Sequence, residues 1–258
     1  MDVRISFVFI LNTLLGAQGL QSSVKDATCC VPTQFEAKVY MDAELVFLDT
    51  TSSVSRPLTA YSMFNYTVHL AYDYDRQQLY MHANVTETSP LIPHPVTDSV
   101  LYLFDHKHGV MYTVNGGHDG KCQKDNSTVP MSQQCIPDDA LLQRNSAIGN
   151  PSLQPLAAKV YQYEVKGDPD AFPFYIQAFV KQNGKQCLPM KLHVVTAGGS
   201  GTMNAWVMNF VNLTQGIQDP SIFSVPGPCR GATQVTKITT AQEPKWKQAL
   251  EVLLGTIN

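Results

Sequence analysis

From Phe35 to Phe47 the odd positions read Phe, Ala, Val, Met, Ala, Leu, Phe, while the even positions hold Glu36, Lys38, Tyr40, Asp42, Glu44 and Val46. Period two is the mark of a strand with one buried face. Phe64, Tyr66, Val68, Leu70 and Tyr72 continue it, Asp73-Tyr74-Asp75-Arg76 turns the chain, and Leu79, Met81, Ala83 and Val85 resume the alternation. A second hairpin is predicted from Val100–Phe104, a turn through Asp105–Gly109, and Val110–Val114. A third runs from Phe174 to Lys181, through Asn183-Gly184, and back along Gln186–Val195. Asn-Gly between alternating runs predicts a type I′ turn. Met203–Asn212 gives one more strand after the glycine-rich 197–201 stretch.

Between Gly116 and Ala157 the alternation lapses into Asn, Asp, Ser, Gln and Pro, which predicts long loops with a short helix near Asp138–Leu142. Pro244 to Leu254 predicts a terminal helix: proline suits its first turn, Glu243 its N-terminal dipole and Gly255 its end. The expectation is an all-β, mainly antiparallel fold with a helix over 244–254, in one domain over residues 20–258.

Residues 1–19 stand apart. Arg4 precedes a mostly apolar run from Ile5 to Leu15, and Ala17-Gln18-Gly19 supplies small residues where a signal peptidase reads. A cleaved signal peptide, and hence a secreted protein, is expected, in extracellular fluid or in a lysosome-like lumen. No later stretch is long and apolar enough for a membrane-spanning helix. The net charge of -3, without a Lys/Arg block, gives no nucleic-acid footprint.

Six cysteines fit an exported disulfide framework: Cys29, Cys30, Cys122, Cys135, Cys187 and Cys229. Six allow fifteen pairings. Adjacent Cys29 and Cys30 are poor partners for each other, because the peptide between them would distort. Setting those pairings aside leaves twelve. Four sequons begin at Asn65, Asn84, Asn126 and Asn212. Asn65 and Asn84 fall on the polar faces of their strands, where a glycan can be accommodated.

Candidate chemistry is sparse. His106 and His108 lack the further partners that a metal site wants, and a solvated turn accounts for them. Asp73 and Asp75 could offer calcium hard oxygen ligands, although the glycine and distal glutamate of an EF-hand loop are missing. The glycine run at 198–201 lacks a P-loop lysine, and no nucleophile elbow occurs. Met203, Trp206, Met208 and Phe210 are candidate lining for a ligand cavity, with ordinary core as the plainer reading.

Seven stretches occur in a characteristic order: CCVPTQFEA, LAYDYDRQQLYM, LIPHP, HGVMYTVN, NSAIGNP, KQCLPM and IQDPSIFSVPGPC. In these the chain resembles the ependymin-related proteins from Cys29 to Cys229. The resemblance implies two stacked, curved antiparallel sheets around an apolar pocket, usually in a homodimer. It implies secreted, glycosylated chains associated with calcium and with hydrophobic, lipid-like ligands. By similarity Cys30 pairs with Cys187 and Cys122 with Cys229, leaving Cys29 for Cys135. Vertebrate members carry a further cysteine where this chain has His94. The expected function is encapsulation of an apolar ligand without catalysis. The alternatives are a calcium-dependent adhesion protein of the extracellular matrix and, last, an extracellular hydrolase or metalloenzyme.

Overall fold

A computed structural model describes residues 29–48, 59–89, 93–126, 131, 133–148, 156–165, 174–198 and 202–231. The expected signal peptide and the helix over 244–254 lie outside the described residues. Thirteen strands follow in chain order. They are β1 (Cys29–Cys30), β2 (Gln34–Leu48), β3 (Thr59–Asp73), β4 (Gln78–Thr88), β5 (Val96–Asp105), β6 (Val110–Asn115) and β7 (Lys121–Asn126). After these come β8 (Cys135–Ile136), β9 (Leu141–Ile148), β10 (Leu156–Val165), β11 (Phe174–Asn183), β12 (Gln186–Gly198) and β13 (Thr202–Gln215).

Two meanders make the sheet. β2 to β7 pair in sequence, β9 to β13 pair in sequence, and a long antiparallel β2–β13 ladder joins them. The all-β antiparallel expectation holds, and the two layers are halves of one continuous, curled sheet. The curl follows from geometry. β3 and β10 are five strand spacings apart in the hydrogen-bonded order, about 24 Å on a flat sheet at about 4.8 Å per step. Yet Leu70 of β3 and Tyr163 of β10 line the same cavity. Twist accumulated strand by strand has rolled the sheet over its apolar face. The roll stays open, with β7 and β9 at the two ends of the path.

The period-two faces explain the interior. On β2, Phe35, Ala37, Val39, Met41 and Ala43 are buried. Phe64, Tyr66, Val68, Leu70 and Tyr72 oppose them from β3 and join the same core. β5 is buried on both faces. Val100, Tyr102 and Phe104 enter the main core, while Leu101 and Leu103 join a second cluster with Ala71, Tyr80, Val114, Phe223 and Cys229. Two short 3₁₀ segments, Pro220–Phe223 and Gly227–Cys229, carry Phe223 and Cys229 over that outer face. Glu36 Oε1 accepts the Gln218 backbone N–H at 2.6 Å, and Cys229 is joined to Cys122.

Three local expectations are corrected. The helix near Asp138–Leu142 is absent: 138–139 form a turn, and Leu141 opens β9. The lapse from Gly116 to Ala157 also contains β7 and β8, which are too short or too exposed to alternate visibly. The third hairpin turns at Gly184-Lys185, because Asn183 is still paired with Gln186. Positive φ is needed only at Gly184, at 59°, as in a II′ rather than a I′ turn.

Candidate functional site

Ahead of β2 the chain makes a two-residue strand, β1, which pairs antiparallel with β8 and parallel with β12 at Gln186. Together β1 and β8 form a strap across the curled sheet. Backbone hydrogen bonds hold it: Cys30 N donates to Lys185 O at 2.9 Å, and Val31 N donates to Gln134 O at 2.8 Å. Gln134 N donates to the Tyr72 hydroxyl at 3.3 Å, and Gln133 Nε2 donates to Val31 O at 3.1 Å.

The partners of the cysteine doublet are exchanged relative to the expectation. Cys29 is joined to Cys187, with Cα atoms 5.5 Å apart, and Cys30 to Cys135, at 3.9 Å. The cause is the pleat, since successive residues of a strand project to opposite faces. Cys29 and Cys187 are both buried in the sheet interior. Cys30 lies directly across the ladder from Cys135, where an opposed pair brings the sulfurs together. Two covalent ties thus leave β1 from its two faces, one to β8 within the strap and one to β12 in the sheet.

Beneath the strap is an apolar cavity of ≈ 80 Å³. Cys29, Val31, Cys135 and Ile136 of the strap segments roof it, Phe35 and Leu70 form one wall, and Tyr163, Ala178 and Val180 form the other. Cys187, Pro189, Leu192 and Phe210 complete it, with Gln134 as an amide among them. A bulge explains how residues of both parities on β12 reach one cavity. The β11–β12 register shifts after Phe179–Lys191, so that Val180 pairs with Pro189 and Met190 is the extra residue. None of the fourteen lining residues carries a charge. Burial pushes the Tyr163 hydroxyl well above the ordinary tyrosine range, so it remains a neutral donor.

Of the four residues predicted to line a cavity, Phe210 does so. Trp206 and Met208 are buried in the core, and Met203 is 44% exposed on the other face of β13. Three residues along a strand reverse the face, which accounts for Met203. Sequence reasoning missed Leu70, Tyr163 and the strap residues Val31, Gln134 and Ile136. The doublet at Cys29-Cys30 was the available signal, because whatever it is tied to must cross the sheet.

Asp73 and Asp75 are held by different partners. Asp73 is fully buried; its Oδ1 accepts from Gln34 Nε2 at 3.0 Å and from Arg76 N at 2.9 Å, and Arg76 Nε is 3.7 Å from Oδ2. Asp75 is exposed and accepts from Thr33 Oγ1 at 3.1 Å. A guanidinium on the buried carboxylate repels a dication, so this pair does not fit a calcium site. His108 Nδ1 lies 2.7 Å from Asp105 Oδ2, while His106 stacks on Phe104. Among the described residues no three His, Cys, Asp or Glu side chains are grouped to hold a metal ion. A histidine cluster that the sequence had not suggested sits on the outer face. His69 and His82 are cross-strand partners, His82 Nε2 is 3.0 Å from Ser99 Oγ, and the His118 ring lies 4.7 Å away.

Asn65, Asn84, Asn126 and Asn212 are all exposed. Asn65 Nδ2 donates to Asp42 Oδ1 at 2.7 Å. Asn212 has φ 51° at an irregularity in the β2–β13 ladder, a conformation asparagine tolerates.

Residues 94–229 match the sequence model of the ependymin family. The chain belongs to the ependymin family. The matched segment runs from β5 to Cys229 and contains β8 and β11–β13, and hence most of the cavity. β1 to β4 precede it. The family and the three disulfides, with no free cysteine among the described residues, are consistent with an extracellular protein. No helix among the described residues is long and apolar enough to cross a membrane. The chain is also similar to a solved β-barrel-like protein of a domain of unknown function from Brucella abortus. That similarity is 10% identity, covering 72% of this chain and 99% of the other, with a TM-score of 0.26. At that score it adds nothing to the family assignment.

Proposed function

We propose that this ependymin-family protein is a secreted, N-glycosylated, disulfide-bonded binder of apolar, lipid-like ligands, and that the cavity under the β1–β8 strap is its binding site. The observation that carries the reading is the lining: fourteen residues without a charge, walled by both limbs of the curled sheet. Burying apolar ligand surface there gains about 0.8 kcal/mol per methylene removed from water. No catalytic step belongs to this reading.

Homodimerisation, which the family resemblance implies, is part of the proposal. Its support is the open edge at β9, where Leu141 is 65% exposed and Leu142 and Leu156 are also exposed. Calcium association enters on the family alone, without assigned ligands. Native mass spectrometry of protein secreted by its own cells, followed by solvent extraction, tests the reading. Apolar adducts lost on extraction are expected. Bare protein, which also fails to take up added alkyl compounds, contradicts it.

A further inference from the structure

Size and rigidity say more than apolarity does. An engineered cavity of roughly 150 Å³ is what takes up benzene, and sites that enclose drug-sized ligands hold roughly 300–1,000 Å³. The space here is ≈ 80 Å³. It cannot enclose a sterol, a ring system or a whole acyl chain. The roof also resists being pushed aside. Cys29 and Cys135 belong to the strap, and their bridges tie it to Cys187 in β12 and across β1–β8. Leu70 and Phe35 on one limb face Tyr163, Ala178 and Val180 on the other, and the β2–β13 ladder between those limbs is continuous from Thr202–Phe47 to Val211–Lys38.

We infer that the cavity receives only the terminal segment of an unbranched alkyl chain, inserted methyl end first, with the rest of the ligand and its head group outside the strap. This rests on the apolar-binding reading and narrows it to a ligand class: amphiphiles or hydrocarbons with a slim, unbranched end. An uncharged lining gives a head group of either sign no counter-ion inside, and moving a bare charge into such a site is prohibitive. Head-first entry is therefore closed to carboxylates and ammoniums alike. Tail-first entry leaves both heads in water, so the sign of the head has little effect on affinity. The chain end and its width set the affinity.

Calorimetric titration of the full secreted protein at neutral pH tests this with five probes. Octan-1-ol, octanoate and octyltrimethylammonium share one chain end under three different heads. 7,7-Dimethyloctanoate and 1-adamantanol present bulky ends. The three linear probes are expected to agree within about threefold, and the two bulky ones to bind at least about tenfold more weakly. Shortening the linear alcohol to heptan-1-ol is expected to change the affinity by less than about threefold, because the same terminal segment is buried and the methylene removed lies outside the strap. Adamantanol binding as well as octanol overturns the inference while leaving the apolar-binding reading intact. A difference of more than tenfold between the two charged linear probes does the same, since it places the head inside. Failure of every probe to bind, in protein freed of endogenous ligand by solvent extraction and shown by circular dichroism to be folded, overturns both.

Discussion

Cys30 and Cys135 face each other across the β1–β8 ladder with Cα atoms 3.9 Å apart, while the neighbouring Cys29 turns inward to Cys187. The doublet thus ties β1 in two directions, to its strap partner β8 through Cys30 and to the sheet at β12 through Cys29. Non-reduced peptide mapping with fragmentation between Cys29 and Cys30 is expected to assign Cys29–Cys187 and Cys30–Cys135. A Cys30–Cys187 link would contradict the arrangement. Replacing both members of either bridge with serine is expected to cost about 2–5 kcal/mol in urea unfolding.

Ala178 faces the cavity from β11, so a larger side chain there grows into the space a ligand would take. Ala178→Leu is expected to lower affinity for octan-1-ol by more than about tenfold, as a filled site should. Its destabilisation is expected to stay within about 1–3 kcal/mol, since the added carbons enter a void. Thermal unfolding alongside the titration separates lost binding from lost fold.

Gly120 closes the 3₁₀ turn that follows β6. A Cβ there would lie 1.8 Å from the Asn115 carbonyl oxygen, which is backbone and has no rotamer to move into. Gly120→Ala is expected to destabilise by about 1–3 kcal/mol or more, read as a lower urea midpoint with unchanged slope. Gly184→Ala also costs stability, but less, because its left-handed φ is the only obstacle: nothing lies within 4 Å of its Cβ position.

His82 is the most constrained member of the outer histidine cluster. Burial lowers its pKa below 6.5, and the neighbouring His118 and His69 add to the lowering. On acidification from neutral pH the unfolded chain therefore takes up a proton at this position before the folded chain does. Stability contributed by the neutral imidazole is intact above the unfolded value of 6.5 and falls as pH drops below it. The melting temperature is expected to decline between pH 7 and pH 5, and to decline less in His82→Asn. His193, lowered by burial and by Lys191, acts in the same direction, so His82→Asn leaves part of the slope. An identical pH slope in wild type and variant would remove His82 from this account.

Much of the sheet was legible in the sequence because its hairpins have one wet face. The strands on either side of the first hairpin follow directly from the alternation of Tyr66, Val68 and Leu70 with polar neighbours, and its turn, expected at Asp73–Arg76, lies one residue later at 74–77. β9 was misread for the opposite reason: as an edge strand, with little buried on either face, its Leu141-Leu142 pair has no partner face to reveal. The strap was illegible because two residues cannot show a period. Which sulfur pairs with which depends on the faces of β1, and family resemblance exchanged the partners where the pleat decides them. At the cavity, alternation put Phe210 on the same strand face as Trp206 and Met208 but could not show which inward residues line a void and which, like Trp206 and Met208, fill the core. That distinction depends on how far the sheet curls, a sum of small twists that no local pattern records.

The most direct test follows methyl resonances of the full protein during titration with octan-1-ol. Saturable, single-site shifts are predicted at Ala178, Val180 and Leu192, with Leu141 and Leu142 on the open edge unmoved. Shifts confined to those edge leucines, or no saturation at the cavity methyls, would contradict a binding site beneath the strap.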